Sequence, residues 1–444
     1  MKIMMVSLGC DKNLVDTEMM LGMLSEQGYT FTDDETEAEV MIVNTCCFIG
    51  DAKEESINTL IEMGALKQTA CVRVLIAAGC LAQRYAAEIR KEIPEVDAIV
   101  GTSAVDEIVR AVEETLCGEQ RTYMKELDLK PAAGKKRIVT TGGHYAYLKI
   151  AEGCDKRCSY CIIPKVRGSY RSVPMEILLE EARVLAGGGV KELILVAQET
   201  TLYGRDLYGE KKLPELLQKL CEIPGLHWIR LLYCYPEEIT EELIDVMRTE
   251  KKICHYLDMP IQHASDVVLK RMGRRTTRAE ITERIRRMRE QIPDICIRTT
   301  LITGFPGETK ENHEEMLDFI RENSFDRLGA FLYSPEEGTA AAEMPGQIPK
   351  KIKKKRRDEI MLLQQELAFQ KAAAFCGHVM DAMIEGKLVD EDCYVARTYR
   401  DAPSVDGYVF LSTDRELVSG DIVSVRITGA HEYDLLGELE DDCG

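Results

Sequence analysis

In the first 130 residues, short apolar runs alternate with segments in which apolar residues recur at helical spacing. Short apolar runs predict four strands, at residues 3–8, 40–43, 72–78 and 98–100. Apolar residues at helical spacing predict four helices, at residues 14–26, 53–66, 82–91 and 104–116, and Asp11 or Asn13 could cap the first of them. Strands that alternate with helices are typical of a parallel sheet covered on both faces.

A polar stretch at residues 118–143 separates this region from a second one with the same alternation. Its apolar runs predict six strands, at residues 147–150, 192–196, 229–233, 255–259, 295–302 and 327–332. Six strand–helix units predict an open or partial barrel of the TIM type, (β/α)6.

The pattern changes again near residue 375. Short alternating runs, separated by turn residues, lie at residues 379–385, 387–389, 394–397, 407–411 and 421–429, and predict a small antiparallel barrel of about five strands. We therefore expect an α/β protein with three domains: an N-terminal parallel-sheet domain at 1–130, a central partial TIM-type barrel at 140–370 and a small antiparallel β-barrel at 374–440.

Composition narrows the class of protein. Hydrophobic residues make up 45% of the chain and charged residues 30%, which is typical of packed globular domains. No apolar run reaches the roughly 18 residues of a membrane helix, and the amino terminus does not resemble a signal peptide. We expect a cytoplasmic protein without a membrane partner.

The chain has 16 cysteines, and in a reducing compartment spaced cysteines more often bind metal than form disulfides. Cys154, Cys158 and Cys161 lie in one short loop after the first strand of the predicted barrel. Three thiolates can ligate three irons of a 4Fe-4S cluster and leave the fourth iron open. The alternative is a structural zinc site, but the following residues 162–164 supply no fourth Cys or His.

This CxxxCxxC motif, with Tyr160 before its last cysteine, resembles the signature of the radical S-adenosylmethionine superfamily. The resemblance implies that the open iron binds S-adenosylmethionine and that one electron splits it to start hydrogen abstraction. Side chains at later strand ends then become candidate cofactor contacts beside Tyr160, although each is also explained by loop geometry alone: Gln198, Glu199, Arg298 and Gly304.

Three further cysteines each follow a predicted strand of the N-terminal domain: Cys10, Cys46 and Cys80. The carboxyl ends of parallel strands form the ligand crevice of such a sheet, so these thiols could hold a second cluster. A chain with this many cysteines places some at strand ends by chance. Cys47 could also compete with Cys46, but successive side chains diverge, and we expect one of the two to face the crevice.

The whole chain, with these cysteines and three domains, resembles the methylthiotransferases. The resemblance implies that Cys10, Cys46 and Cys80 hold an auxiliary 4Fe-4S cluster that delivers sulfur to a C–H position. It implies that Cys154, Cys158 and Cys161 hold the radical cluster, and that a small protein such as flavodoxin or ferredoxin donates electrons. Residues 7–16, 200–209 and 257–263 are similar to the RimO branch, which usually has Pro at the position of Asp11 and Asp at that of Glu199.

The charge of the chain helps to decide between a protein and a tRNA substrate. The RimO branch modifies the β-carbon of an aspartate in ribosomal protein uS12, and the MiaB-like branch modifies an adenosine of tRNA. The formal net charge is −19, and the last 74 residues, which resemble an OB-like TRAM domain, carry 16 acidic against six basic residues. Such a surface repels tRNA phosphates and suits a basic ribosomal protein, so tRNA is the less favoured partner. A non-catalytic, metal-containing ribosome-binding protein remains a third hypothesis.

Overall fold

A computed structural model describes residues 1–389 and 392–440 and begins with a six-stranded parallel sheet. Its strands are β1 (Lys2–Ser7), β2 (Thr30–Phe31), β3 (Val40–Thr45), β4 (Val74–Ala78), β5 (Ala98–Val100) and β6 (Thr122–Tyr123), in the order β2-β1-β3-β4-β5-β6. Successive residues of β3 face opposite sides, so the sheet contributes to two apolar cores, one on each face. The helices are α1 (Asp11–Glu26), α2 (Gly50–Ala65), α3 (Gly79–Arg84), α4 (Ala86–Glu92) and α5 (Ile108–Leu116).

The four predicted strands of this domain are confirmed, whereas β2 and β6 were missed because each has only two residues. Helix α1 begins at Asp11, and Cys10 occupies its N-cap position without a side-chain hydrogen bond. The expectation that Asp11 or Asn13 caps it is therefore wrong. The predicted helix at 82–91 is divided at Tyr85 into α3 and α4.

The central region contains a second parallel sheet, with the order β14-β13-β12-β11-β10-β7. Its strands, and the antiparallel pair β8–β9, are β7 (Tyr145–Lys149), β8 (Ala151–Glu152), β9 (Arg171–Ser172), β10 (Glu192–Val196), β11 (Trp228–Leu231), β12 (Ile253–Asp258), β13 (Cys296–Thr303) and β14 (Arg327–Leu332). The six predicted strands are confirmed, and the open sheet is the partial (β/α)6 barrel.

Helices cover the outer face of this sheet through one large apolar core. They are α6 (Ile163–Arg167), α7 (Met175–Gly187), α8 (Arg205–Tyr208), α9 (Leu213–Cys221), α10 (Glu241–Thr249), α11 (Asp266–Met272), α12 (Arg278–Gln291), α13 (Lys310–Asn323) and α14 (Lys350–Ala373). Short 3-10 helices lie at Leu66–Gln68, Val105–Glu107, Pro236–Glu238 and Ala340–Glu343. None of the helices described is both long and apolar enough to cross a lipid bilayer.

The carboxyl-terminal region is a closed five-stranded barrel with the order β15-β16-β17-β19-β18. Its strands are β15 (Val379–Lys387), β16 (Cys393–Thr398), β17 (Val409–Ser412), β18 (Ile422–His431) and β19 (Asp434–Leu439). The predicted barrel is confirmed, and its pairs are antiparallel except β17 with β19. The separate strand expected at 387–389 is wrong because β15 continues to Lys387, and β19 was missed.

This barrel packs against the inner face of the central sheet, near the amino ends of its strands. Glu192, at the start of β10, accepts hydrogen bonds from Arg230 at 2.6 Å and pairs with Arg397 of the barrel at 2.7 Å, and all three side chains are fully buried. Tyr256 donates to Asp406 at 2.7 Å. Because breaking one partner of a buried ion pair is costly, these contacts fix the barrel at this end. The carboxyl ends of the strands face the N-terminal domain, and barrel residues 402–405 also reach this end beside Cys10.

Candidate active site

Cys154, Cys158 and Cys161, which we call the loop triad, follow β8 in a loop held by backbone hydrogen bonds. The Cys154 N–H donates to the carbonyl of Gly168 at 3.1 Å, and the Cys161 N–H donates to that of Cys158 at 3.0 Å. Gly153 has φ +76°, and a Cβ there would collide with the Ser169 carbonyl, so the turn into the triad requires glycine. The positions of the three cysteines are therefore set by the backbone of this loop.

Cys154 and Cys158 are buried and Cys161 is half-buried, and the thiols of the loop triad affect one another. Burial raises the pKa of Cys154 to about 12, and the neighbouring Cys158 adds to the rise. Burial, Cys158 and Cys154 likewise raise the pKa of Cys161. In residues 1–389 and 392–440, no three His, Cys, Asp or Glu side chains are arranged so that together they could hold a single metal ion. A 4Fe-4S cluster does not require that arrangement, because each thiolate binds a different iron.

Cys10, Cys46 and Cys80, which we call the strand-end triad, follow three neighbouring strands. Cys10 comes after β1, Cys46 directly after β3, and Cys80 is the second residue of α3 after β4. Because β1, β3 and β4 are parallel and adjacent, their carboxyl ends meet at one edge. Burial raises the pKa of Cys80, and the nearby thiols of Cys47, Cys10 and Cys46 contribute to that rise. Cys10, Cys46 and Cys80 therefore lie near one another at this edge, with Cys47 beside them, and their role as ligands of one cluster stays a prediction.

Cys47 lies close to the same edge but has different surroundings. It is 1% exposed and packs in the apolar core between α2 and the sheet. Burial raises its pKa to about 11, while the nearby positive charge of Arg84 opposes the rise. Cys46 instead packs against Gly9, where a Cβ would approach the Cys46 Cβ to 2.6 Å. The side chain of Cys47 is therefore engaged by Arg84 and the core, and that of Cys46 by the Gly9–Cys10 turn.

Asn13 is a functional candidate that the sequence analysis missed. Its Nδ2 donates to the carbonyls of Leu8 and Thr45, each at 3.0 Å, and its backbone carbonyl accepts from Asn44 at 2.8 Å. Its Oδ1 lies 3.7 Å from the Cys80 Sγ. One fully buried amide thus ties together the segments that carry the strand-end triad. The only signal in the sequence was its place three residues after Cys10.

A layer of buried charges lies between the two triads; we call Asp16, Lys149, Glu152 and Arg167 the polar layer. Arg167 Nη1 is 2.8 Å from Asp16 and 2.9 Å from Glu152. Lys149 contacts Asp16 and lies 3.0 Å from Glu152. Burial alone would raise the pKa of Glu152, but Arg167 and Lys149 outweigh it and hold this pKa below its usual value. Two cations thus balance two carboxylates.

Of the predicted cofactor contacts, Gln198 adjoins this layer, and Glu199 follows Gln198 in the chain. Gln198 donates to Glu152 at 2.8 Å, and its buried Oε1 has no hydrogen-bond partner among the described residues. Burial raises the pKa of Glu199 to about 8, although Thr201 and Lys156 oppose it. Its Oε2 is also buried and lacks a hydrogen-bond partner in the part of the chain described. Glu199 raises the pKa of Cys154, so it lies near the loop triad.

The other predicted contacts have different positions. Tyr160 is beside the loop triad: burial raises its pKa, and Cys158 and Cys161 raise it further. Arg298 donates to Asp258 at 2.8 Å and lines a cavity beside Cys10. A Cβ at Gly304 would collide with the side chain of Lys353, so this glycine allows β13 to approach α14. Tyr160, Gln198 and Glu199 therefore group with the loop triad, Gly304 lies between Ile302 and Phe305, which cluster with Tyr160, and Arg298 lies beside the cavity at Cys10.

The cavity beside Cys10 has a volume of about 410 Å³ and is lined by all three domains. Cys10 and Asp11 line it from the N-terminal domain, Tyr233 and Arg298 from the central sheet, and Ser404 from the barrel. Tyr233 donates to Asp11 at 2.9 Å across the domain boundary. A group bound in this cavity would contact Cys10, one member of the strand-end triad.

Three family models match the chain. They are described as Uncharacterized protein family UPF0004, at residues 2–101, the Radical SAM superfamily, at residues 148–320, and the TRAM domain, at residues 376–439. The first two contain the strand-end triad and the loop triad, respectively. Each cysteine triad therefore lies within a separately matched region.

Similar proteins of known function match over the full length. Ribosomal protein uS12 methylthiotransferase RimO of Lachnoclostridium phytofermentans is 58% identical over 440 residues, which are 99% of this chain and 100% of that protein. The protein of the same name from Pelotomaculum thermopropionicum is 52% identical over 98% of this chain and 99% of its own length. The solved structure of the radical S-adenosylmethionine methyltransferase TsrM from Kitasatospora setae has a TM-score of 0.55 at 14% identity, covering 77% of this chain and 73% of that one, a likeness of fold alone.

Proposed function

The chain belongs to the RimO family of ribosomal protein uS12 methylthiotransferases, and we propose that it adds a methylthio group to the β-carbon of an aspartate in uS12. It is a radical S-adenosylmethionine enzyme, as its family and its central domain indicate. The observation that carries the proposal is the position of the two cysteine triads on either side of one buried polar layer. Carbon–sulfur bond formation needs a radical source and a sulfur source within reach of the same substrate carbon.

The proposed cofactors are two 4Fe-4S clusters and S-adenosylmethionine, and the residues present fit them. Cys154, Cys158 and Cys161 would hold one cluster and Cys10, Cys46 and Cys80 the other. When bound, the first cluster supplies the electron that cleaves S-adenosylmethionine, and the second supplies sulfur. Buried thiols with raised pKa values release their protons only when a metal replaces them, so cluster binding would be coupled to proton release.

The surroundings of the loop triad also fit an amino-acid cofactor. Gln198 Oε1 and Glu199 Oε2 are buried acceptors without hydrogen-bond partners among the described residues. Leaving such groups unsatisfied costs about 1–3 kcal/mol each. The ammonium group of S-adenosylmethionine would donate to both oxygens, and its positive charge would favour the ionised form of Glu199, whose pKa burial otherwise raises to about 8. We infer that Gln198 and Glu199 bind this group, with Tyr160 beside the last cysteine of the loop triad.

The proposed substrate is a basic protein rather than tRNA. The relatives over the full length are named for uS12, and the carboxyl-terminal segment from residue 371 carries 16 acidic and six basic residues. Acidic surfaces repel nucleic-acid phosphates and attract basic proteins. The tRNA-modifying branch is therefore not favoured. We further infer a small iron–sulfur or flavin protein, such as ferredoxin or flavodoxin, as electron donor, and the cytoplasm as the location because ribosomal proteins work there.

Mass spectrometry of uS12 and of tRNA from cells with and without the gene tests the proposal. We expect uS12 to lose a methylthio group in the deletion strain and tRNA to keep all of its modifications. A plasmid copy should restore the modification, whereas a copy with Cys158→Ala should not. Unchanged uS12 together with a lost tRNA methylthio group would contradict the proposed substrate.

A further inference from the structure

Arg167 connects the two cysteine triads more directly than any other feature of the polar layer. It ends α6, six residues after Cys161, and its side chain reaches into the N-terminal domain. Its Nη2 lies 3.4 Å from the Cys80 Sγ and also donates to the Asn13 Oδ1. The next residue, Gly168, accepts the backbone hydrogen bond from Cys154. One short segment therefore contacts a member of each triad.

The hydrogen bonds that the Cys80 sulfur can form change when Cys80 binds iron. As a neutral thiol, Cys80 can donate to the Asn13 Oδ1 at 3.7 Å. As a thiolate it has no proton to donate, so it can no longer form a hydrogen bond with the Asn13 Oδ1. The Arg167 guanidinium can still donate to the sulfur, and such charge-assisted hydrogen bonds are stronger than neutral ones. Arg167 is thus suited to the ligated state of Cys80.

An arginine fits this position better than a lysine. The planar guanidinium donates at fixed angles, and here it serves Asp16, Glu152, Asn13 and Cys80 at once. A single ammonium group could not span these acceptors. The side chain is 2% exposed, so solvent does not replace any contact that is lost.

We propose that Arg167 is a positioning residue that orients Cys80 and raises the reduction potential of the cluster at the strand-end triad by donating a hydrogen bond to the Cys80 sulfur. This inference rests on the proposed function. Hydrogen bonds to cluster sulfurs are among the factors that set iron–sulfur potentials, because they stabilise the more negative, reduced state. Loss of this donor should therefore lower the potential.

The test uses the full-length chain with Cys154, Cys158 and Cys161 all replaced by Ala, so that only the strand-end triad can hold a cluster. Arg167→Gln and Arg167→Lys are introduced into this parent, with Lys149→Gln as the matched control. Lys149 is a buried cation that contacts the same Asp16 and Glu152, but no contact joins it to Cys80 among the described residues. After anaerobic reconstitution, iron content, the rate of iron release to a chelator and the midpoint potential are measured.

We expect about four irons per chain in the parent, a lower midpoint potential in both Arg167 variants and a smaller shift in the control. Loss of iron in Arg167→Gln with retention in Lys149→Gln would also support the proposal, since Cys80 would then no longer be held. Equal potentials and equal iron release in the Arg167 and Lys149 variants would overturn it. A parent that binds no iron would contradict the proposed function itself, which distinguishes the two failures.

Discussion

The loop triad takes its cysteines from eight consecutive residues, whereas the strand-end triad draws them from residues 10–80. Local backbone contacts, such as that between Cys154 and Gly168, position the first set. The second set depends on the parallel pairing of β1, β3 and β4 and on the amide of Asn13. A motif in one loop can be recognised by its spacing, whereas a site assembled by a sheet can be recognised only through the fold.

The largest expected effect separates the chemistry of the two triads. Replacing either Cys154, Cys158 and Cys161 or Cys10, Cys46 and Cys80 by Ala should reduce methylthio transfer to uS12 below detection. Cleavage of S-adenosylmethionine to 5′-deoxyadenosine should be lost only in the variant without the loop triad, because the strand-end triad is not the proposed site of cleavage. Chromatography of the nucleoside products under reducing conditions measures this. Equal cleavage in both variants would contradict the division of roles.

A second prediction concerns the dependence of the strand-end triad on the fold. Asn13→Ala leaves the buried carbonyl of Thr45 and the partly buried carbonyl of Leu8 without their donor, which should cost about 2 kcal/mol in free energy of unfolding. Iron should be lost from the strand-end triad and retained at the loop triad. Urea unfolding of the iron-free chain and iron counts after reconstitution provide the two measurements. Asn58→Ala, on the same domain, serves as the control, and an equal loss of iron there would refute the role of Asn13.

A third, smaller effect concerns pH and the loop triad. Folding raises the pKa of Glu199 to about 8, mainly through burial, so the native state retains a proton that the unfolded chain has released. Stability should therefore fall as pH rises from the ordinary carboxyl range towards 8, by up to about 2 kcal/mol between pH 6 and pH 8. Glu199→Gln should remove much of this dependence in iron-free protein. Glu180→Gln, at an exposed carboxyl, should not, and identical curves for all three chains would exclude this behaviour.

The smallest effect is expected at Cys47. Its thiol contacts Arg84 and the apolar core, so Cys47→Ser should leave the iron content near that of the unaltered chain. Cys46→Ser should reduce it by about half, because one whole cluster is lost. Iron analysis of the two variants, prepared side by side, compares these neighbouring cysteines. Loss of iron in the Cys47 variant alone would reverse the assignment.

Much of this architecture could be predicted from the sequence, for identifiable reasons. The ten strands expected in the two parallel sheets could be predicted because buried strands appear in a sequence as apolar runs. Strands β2 and β6 are too short to give such a run, and β19 carries acidic residues that hid it. Helix α1 begins earlier than expected because Asn13 uses its side chain for long-range hydrogen bonds rather than for a cap.

The candidate site was predictable only in part. All six triad cysteines were named from strand ends and spacing. The polar layer was not, because Asp16, Lys149, Glu152 and Arg167 become neighbours only when two domains pack together. Arg298 and Gly304 were assigned to the cofactor from their position near a strand end. Their contacts with Asp258 and Lys353 are not indicated by any local pattern, and their assignment to the cofactor stays a prediction.

Iron and sulfide counts on anaerobically reconstituted protein test most directly whether the two triads hold two separate clusters. The account predicts about eight irons and eight sulfides per chain in the unaltered protein. It predicts about four of each when either triad is replaced by Ala, with the remaining cluster still able to cycle between oxidised and reduced states. Four irons in the unaltered chain, or the loss of all iron on replacing one triad, would contradict two independent sites.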